Sequence, residues 1–356
     1  MLFNKSMSRY MKLYDRRKNR KKSLFVLLAL VFIVTVVAVF SLTRFFLLDD
    51  IINGFNMFSS KPEGVSNRMK EYGTQLLNGN GIAMLKEKER LLQLEYQRKK
   101  WNERYSTLKT ELEEYLAGYE GQYGVYFIDL INGGKFGINE KDVYIAASTI
   151  KIPLNLFLYK QMESGLINPE GTITYMGEDY EEGTGLLQFE EFGNEYSIRE
   201  LSRLSIVVSD NVATNMLLRV YGRKNIKDYM KSLGGTVISY EENTSCPYDM
   251  ALYMKEVYEF FEEGSELSRE LMYYFENTKH NDRIPKLLPE DTRIAHKVGN
   301  WPPVSYHDVG IVFARRPYVI SIMSKDTQGG EACSVIANIS KKVYDFVKKY
   351  DYLIED

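Results

Sequence analysis

At 356 residues and 44% apolar, the chain is long enough for one large domain plus accessory segments and has an ordinary globular composition. Its two cysteines, Cys246 and Cys333, do not make a disulfide scaffold, and His280, His296 and His307 show no metal-ligand spacing, so neither a metal nor another cofactor is expected. The net charge of −2 hides an uneven distribution: residues 1–22 carry about nine Lys or Arg against Asp15 alone, leaving the rest acidic by about ten charges.

The basic block (Arg16, Arg17, Lys18, Arg20, Lys21, Lys22) abuts Leu24 to Leu42, an uncharged run that at about 1.5 Å per residue just spans a hydrocarbon core. Residues 23–43 are therefore predicted to be a single transmembrane helix, with 1–22 a cytoplasmic tail and everything after Arg44 outside the cell membrane. A cleaved signal peptide is the competing reading, but the apolar core is long for one and no small-x-small site follows. Beside a membrane, the basic block has anionic lipid rather than nucleic acid as its expected partner. In an extracytoplasmic domain the two cysteines could pair; two free, partly buried thiols are the favoured reading.

Residues 44–80 read as a linker, rich in Gly, Asn, Ser and Lys, with Pro62 and no period. Residues 81–118 read as a long amphipathic helix, with Leu91, Leu94, Trp101, Tyr105, Leu108, Leu112 and Tyr115 alternating by three and four and only Arg98 out of place. Two readings stay open. Residues 82–115 form a homodimer seam or stalk, or the helix folds against its own domain.

The remainder, 121–356, reads as one domain. Tyr123 to Asp129 and Lys135 to Ile138 are predicted strands joined across Asn132-Gly133-Gly134. Arg293 to Val298, Asp308 to Ala314 and Tyr318 to Ser324 are three more, and Ala332 to Tyr350 is a closing helix. The middle is helical. Strands at both ends of a helical centre imply an α+β domain whose termini meet in one antiparallel sheet.

Three short motifs carry chemistry. Ser148-Thr149-Ile150-Lys151 opens an apolar helix running to Met162, which sets the Ser148 hydroxyl at the positive end of the helix dipole. Lys151, nearly one turn on, lies on the same face with its amine in reach of the Ser148 oxygen. Burial among Ile150, Ile152 and Leu154 should lower its pKa, so that a neutral amine can take the serine proton. Read alone, the pair is equally a capping serine and a snorkelling lysine. A second such spacing, Ser106 and Lys109, sits on the charged helix with no companion motif and is read as chance. Ser209-Asp210-Asn211 precedes a helix from Val212 to Tyr221 that ends at Gly222, where Ser and Asp also suit an ordinary N-cap. Lys297-Val298-Gly299 ends a strand. Lys135-Phe136-Gly137 matches that last pattern loosely but precedes the nucleophile.

In this order the motifs make the chain resemble a class A β-lactamase, one of the penicillin-recognising serine enzymes, over residues 121–350. The resemblance implies an antiparallel five-stranded sheet with a helical domain, and acylation of Ser148 by a β-lactam or related amide or ester. It further implies that Ser209 passes a proton to the leaving nitrogen and that Asn211 binds the substrate amide, while Asp210 holds its loop. Lys297 would supply positive potential, Gly299 a close approach, and Asn300 a backbone N–H that completes the oxyanion hole with that of Ser148. Two departures stand out. Val298 replaces the family's Thr or Ser and lacks the hydroxyl that binds the substrate carboxylate. The omega loop, which carries the family's deacylating glutamate, is shortened to about ten residues between Gly235 and Cys246. Only Glu241 and Glu242 remain there as carboxylates, so deacylation should be slow. The expected activity is β-lactam hydrolysis. The alternatives are a D-Ala-D-Ala peptidase acting on cell-wall peptide, or a non-hydrolytic β-lactam or cell-wall receptor.

Overall fold

The computed structural model describes residues 79–350. The tail, the expected transmembrane segment and nearly all of the linker lie outside them; among the described residues no helix is long and apolar enough to cross a membrane. The chain divides into units 1–86 and 87–356. Of the first, only the opening turns of the long helix α1 (Gly79–Leu116) are described.

In the second unit, β1 (Gln122–Asp129), β2 (Lys135–Ile138), β7 (Ile294–Trp301), β8 (Ser305–Val312) and β9 (Tyr318–Lys325) form one antiparallel sheet in the order β2-β1-β9-β8-β7. The chain's first strands thus pair with its last, Val125 opposite Ile322. This is the α+β architecture with five strands that the motif order implied. Strand alternation splits the sheet between two cores. Tyr126, Ile128, Val309, Ile311, Val319 and Met323 face the helical region. Val125, Phe127, Ile320 and Ile322 face α1 and the C-terminal helix α8 (Gly329–Lys349).

The helical region is built around α2 (Lys151–Glu163), whose Ile152, Leu154, Leu156 and Leu158 are all buried, as for a helix that is apolar all round. Around it pack α3 (Ile198–Val207), α4 (Asn211–Tyr221), α5 (Arg223–Ser232), α6 (Pro247–Glu262) and α7 (Glu266–Glu276). Short ladders join β3 (Tyr144–Ile145) to β6 (Thr244–Ser245) and β4 (Thr172–Thr174) to β5 (Glu195–Ser197).

One reading left open is decided for part of α1, and one expectation changes. Of the residues in the heptad seam, Trp101, Tyr105, Leu108 and Leu112 are buried in the second core, whereas Leu91 and Leu94 are exposed. The half of α1 from Trp101 onward is therefore folded against its own domain, because the outer face of the sheet needs an apolar cover. The β7–β8 ladder also runs further than predicted, to Trp301 opposite Ser305, so that β8 begins three residues before Asp308. The prolines at 302 and 303 fill the turn, and Gly299 and Asn300, which read as a strand end, are inside the ladder.

Candidate functional site

Ser148 lies in a short 3-10 turn (Ala147–Ile150) that runs straight into α2, so Ser148 and Lys151 share one face. Ala147, just before the serine, takes a left-handed backbone with φ +48°. Ser148, Lys151, Ser209, Asn211 and Asn300 line one cleft of about 500 Å³. Lys297 reaches the site from the floor through Ser209, and Gly299 lies against the turn that carries Ser148, where a Cβ would come to 3.0 Å from Ala146 O and Thr149 Cγ2. Only a glycine lets the edge strand β7 approach that closely.

The second motif is held by its aspartate. Asp210 caps α4 by accepting from Ala213 N and, with its other oxygen, accepts from Leu186 N and Leu187 N. One buried carboxylate thus fixes both the helix and the loop above it. Gly185, at φ +114°, has no room for a Cβ against Asp210. Thr184 completes the seam: its hydroxyl donates to Ser209 O at 2.7 Å and its carbonyl accepts from Asn211 N at 3.0 Å. Ser209 itself is left-handed, φ +56°, which turns its side chain into the site.

Two buried lysines converge on that serine. Lys151 Nζ lies 3.2 Å and Lys297 Nζ 3.0 Å from Ser209 Oγ. Lys151 also donates to Ser209 O at 2.8 Å and Asn211 Oδ1 at 3.0 Å. No hydrogen bond joins it to Ser148 Oγ among the described residues, so the contact expected from the spacing is replaced by one to the second motif. Burial pushes the Lys151 amine down to about 7, against the opposing pull of Asp210 and Glu181. Burial, then the neighbouring Lys151 charge, drives Lys297 well below the ordinary lysine range. Among the described residues neither amine has a carboxylate in direct contact, and for Lys151 a neutral form is accessible near neutral pH.

Several contributors carry no sequence motif. Glu181 and Glu182 line the cleft beside Glu241 and Glu242, so the carboxylates near the site are not confined to the shortened loop. Glu181 accepts from Asn215 at 2.8 Å, one turn beyond Asn211 on α4. Arg283, buried, donates to His307 O at 2.6 Å and to the side chain of Asn300, stiffening the end of β7. Behind Lys297, His296 is held by Asp308 at 2.9 Å and by Thr278 at 2.9 Å. His280 is on the cleft wall, its pKa lowered by burial and by Lys297. Val298 is buried at the cleft's edge and brings no hydroxyl. The Ser106 and Lys109 pair lies on α1, and Lys135-Phe136-Gly137 forms most of β2, the sheet's opposite edge from β7. Both cysteines are free, Cys246 buried and Cys333 half-buried.

Comparison with known proteins places this geometry. A model of the Beta-lactamase enzyme family matches residues 107–347. The extended-spectrum β-lactamase PER-1 of Pseudomonas aeruginosa is 24% identical over 270 residues, which are 68% of this chain and 88% of that protein. A penicillin-G acyl-enzyme complex of a PBP-A variant superposes with a TM-score of 0.63 at 25% identity, covering 68% of this chain and 97% of that one. A β-lactamase from Sphaerobacter thermophilus gives a TM-score of 0.61 at 24% identity, covering 69% and 97%. The family match begins inside α1, before the boundary that the motifs suggested.

Proposed function

Since this chain belongs to the Beta-lactamase enzyme family and is a serine hydrolase of that family, we propose that Ser148 is its nucleophile and that it forms an acyl-enzyme with β-lactams faster than it clears it. The observation that carries this reading is the single Ser209 hydroxyl held between two depressed lysines, 3.2 Å from Lys151 Nζ and 3.0 Å from Lys297 Nζ.

The neutral Lys151 amine takes the Ser148 proton as the oxygen attacks the acyl carbonyl. Backbone N–H groups of Ser148 and Asn300 meet the developing oxyanion. When the carbon–nitrogen bond breaks, the proton passes from Lys151 through Ser209 to the leaving nitrogen. Asn211 holds the substrate amide, while Gly299 lets β7 lie beside it. For deacylation, Glu181, Glu182, Glu241 and Glu242 are all exposed, and none hydrogen-bonds to Ser148 or Lys151 among the described residues. A general base must hold its water within hydrogen-bond reach, which supports slow turnover. With the uncharged run 24–42 anchoring the chain and its N-terminus cytoplasmic, the catalytic domain works outside the cell membrane. The likeness to PBP-A and the short segment before Cys246 favour a second acyl donor, cell-wall peptide ending in D-Ala-D-Ala.

Intact-protein mass spectrometry after mixing with penicillin G tests the reading. A persistent adduct absent from Ser148→Ala is expected. No adduct would remove β-lactams as substrates, and an adduct that clears within one turnover of penicillin loss would remove slow deacylation.

A further inference from the structure

The nucleophile turn is strained, and one side chain clasps it. β3 and β6 pair Tyr144 with Ser245 and Ile145 with Thr244. The ladder continues one step through the backbone, with Ala146 N donating to Asn243 O at 2.7 Å. At Ala147, beyond the two-residue β3–β6 ladder, the chain turns away with φ +48°. There the Asn243 side chain takes over: its Nδ2 donates to Ala147 O at 3.0 Å. Ala146 O is tied as well, accepting from Thr149 N at 3.1 Å and Thr149 Oγ1 at 2.6 Å.

In a planar trans peptide the carbonyl and the following N–H point in opposite directions. Fixing Ala147 C=O therefore fixes the direction of Ser148 N–H, the oxyanion donor of the proposed acylation. A left-handed alanine costs on the order of 1–3 kcal/mol and persists only where its surroundings over-determine it. Asn243 also leaves its own Oδ1 buried and without a partner among the described residues. Such an orphan acceptor costs about 1–3 kcal/mol, which selection for stability alone would remove by replacing the amide. Its donor is what the site uses.

We propose that Asn243 is a positioning residue for the oxyanion hole: by holding Ala147 O it aims the Ser148 amide into the cleft. The part of this concerning reactivity rests on the acyl-enzyme reading above, whereas the part concerning the amide does not.

The chain contains a single Ala-Ser pair, Ala147-Ser148. Carbonyl-13C alanine and 15N serine labelling of the full chain therefore isolates one amide cross-peak, that of Ser148. In Asn243→Ala and Asn243→Asp at neutral pH the peak is expected to shift and broaden, while circular dichroism stays native. Acidifying Asn243→Asp protonates the introduced carboxyl, restores a donor, and should return the peak toward its native position; Asn243→Ala should show no such recovery. With penicillin G the acylation rate constant should fall about tenfold to a hundredfold at nearly unchanged noncovalent affinity, below the full loss of an oxyanion donor. An unchanged Ser148 peak in both variants, or a peak in Asn243→Asp that ignores acidification, overturns the clasp. If the native chain forms no adduct, the acylation reading fails and the amide spectra still decide the clasp.

Discussion

The two sides of the central sheet bury their polar groups in opposite ways. Under α1 and α8 the interior is aromatic and aliphatic, and a buried charge pair there is complete: Asp129 accepts from Arg316 and from Tyr105 OH at 2.8 Å, while Arg316 lies 4.0 Å from the Trp101 ring. Toward the helical region, Lys151 and Lys297 are equally buried but share a serine instead of a carboxylate. A satisfied pair locks an element in place, and an unneutralised amine is held ready to give up its proton. The first side is built for stability and the second for chemistry.

Breaking either side should therefore give opposite signatures. The largest effect is expected from Lys151→Met, which should slow acylation by about a thousandfold while leaving the fold intact or more stable. The sign follows from the depressed amine, whose pKa is about 7 in the folded chain. Its burial opposes folding fully below pH 7, and that penalty fades as pH rises from about 7 toward the unfolded value of about 10.4. Denaturant melts of Lys151→Met against the native chain should differ most below neutrality and converge in alkali. Next, Trp101→Ala should cost about 3–5 kcal/mol of stability, read by the same melts, with acylation per folded molecule unchanged. Gly299→Ala should be milder. Its Cβ presses on Ala146 O and Thr149 at 3.0 Å, so a loss of about 1–3 kcal/mol and a slower acylation are expected together. The smallest effect belongs to Val298→Thr: one added hydroxyl toward a substrate carboxylate should tighten penicillin binding by about two- to tenfold, read as a lower apparent Kd with an unchanged acylation rate constant.

The same contrast explains what the sequence disclosed. Local periodicity placed β1, β2, β9, α1, α2, α4 and α8 but left α3, α5, α6 and α7 as an undivided helical middle, and motif order brought Ser148, Lys151, Ser209 and Asn211 to one cleft. The residues that aim those groups left no trace. Asn243 meets Ala147 across 96 positions, and Glu181 enters the cleft from a segment whose Asn215 contact lies 34 positions away. Neither has a spacing that a pattern could detect. The fate of the α1 seam was equally hidden, since an apolar stripe is the same whether a second copy or the sheet covers it. The outer face of β1 and β9 decided it.

The most direct test of the account is the pH dependence of acylation in the native chain, followed by intact mass with penicillin G. A neutral Lys151 acting as base predicts a rate constant that rises with pH through one inflection near 7 and then levels. A rate independent of pH across that range would contradict it, and the proton of Ser148 would have to leave by another route.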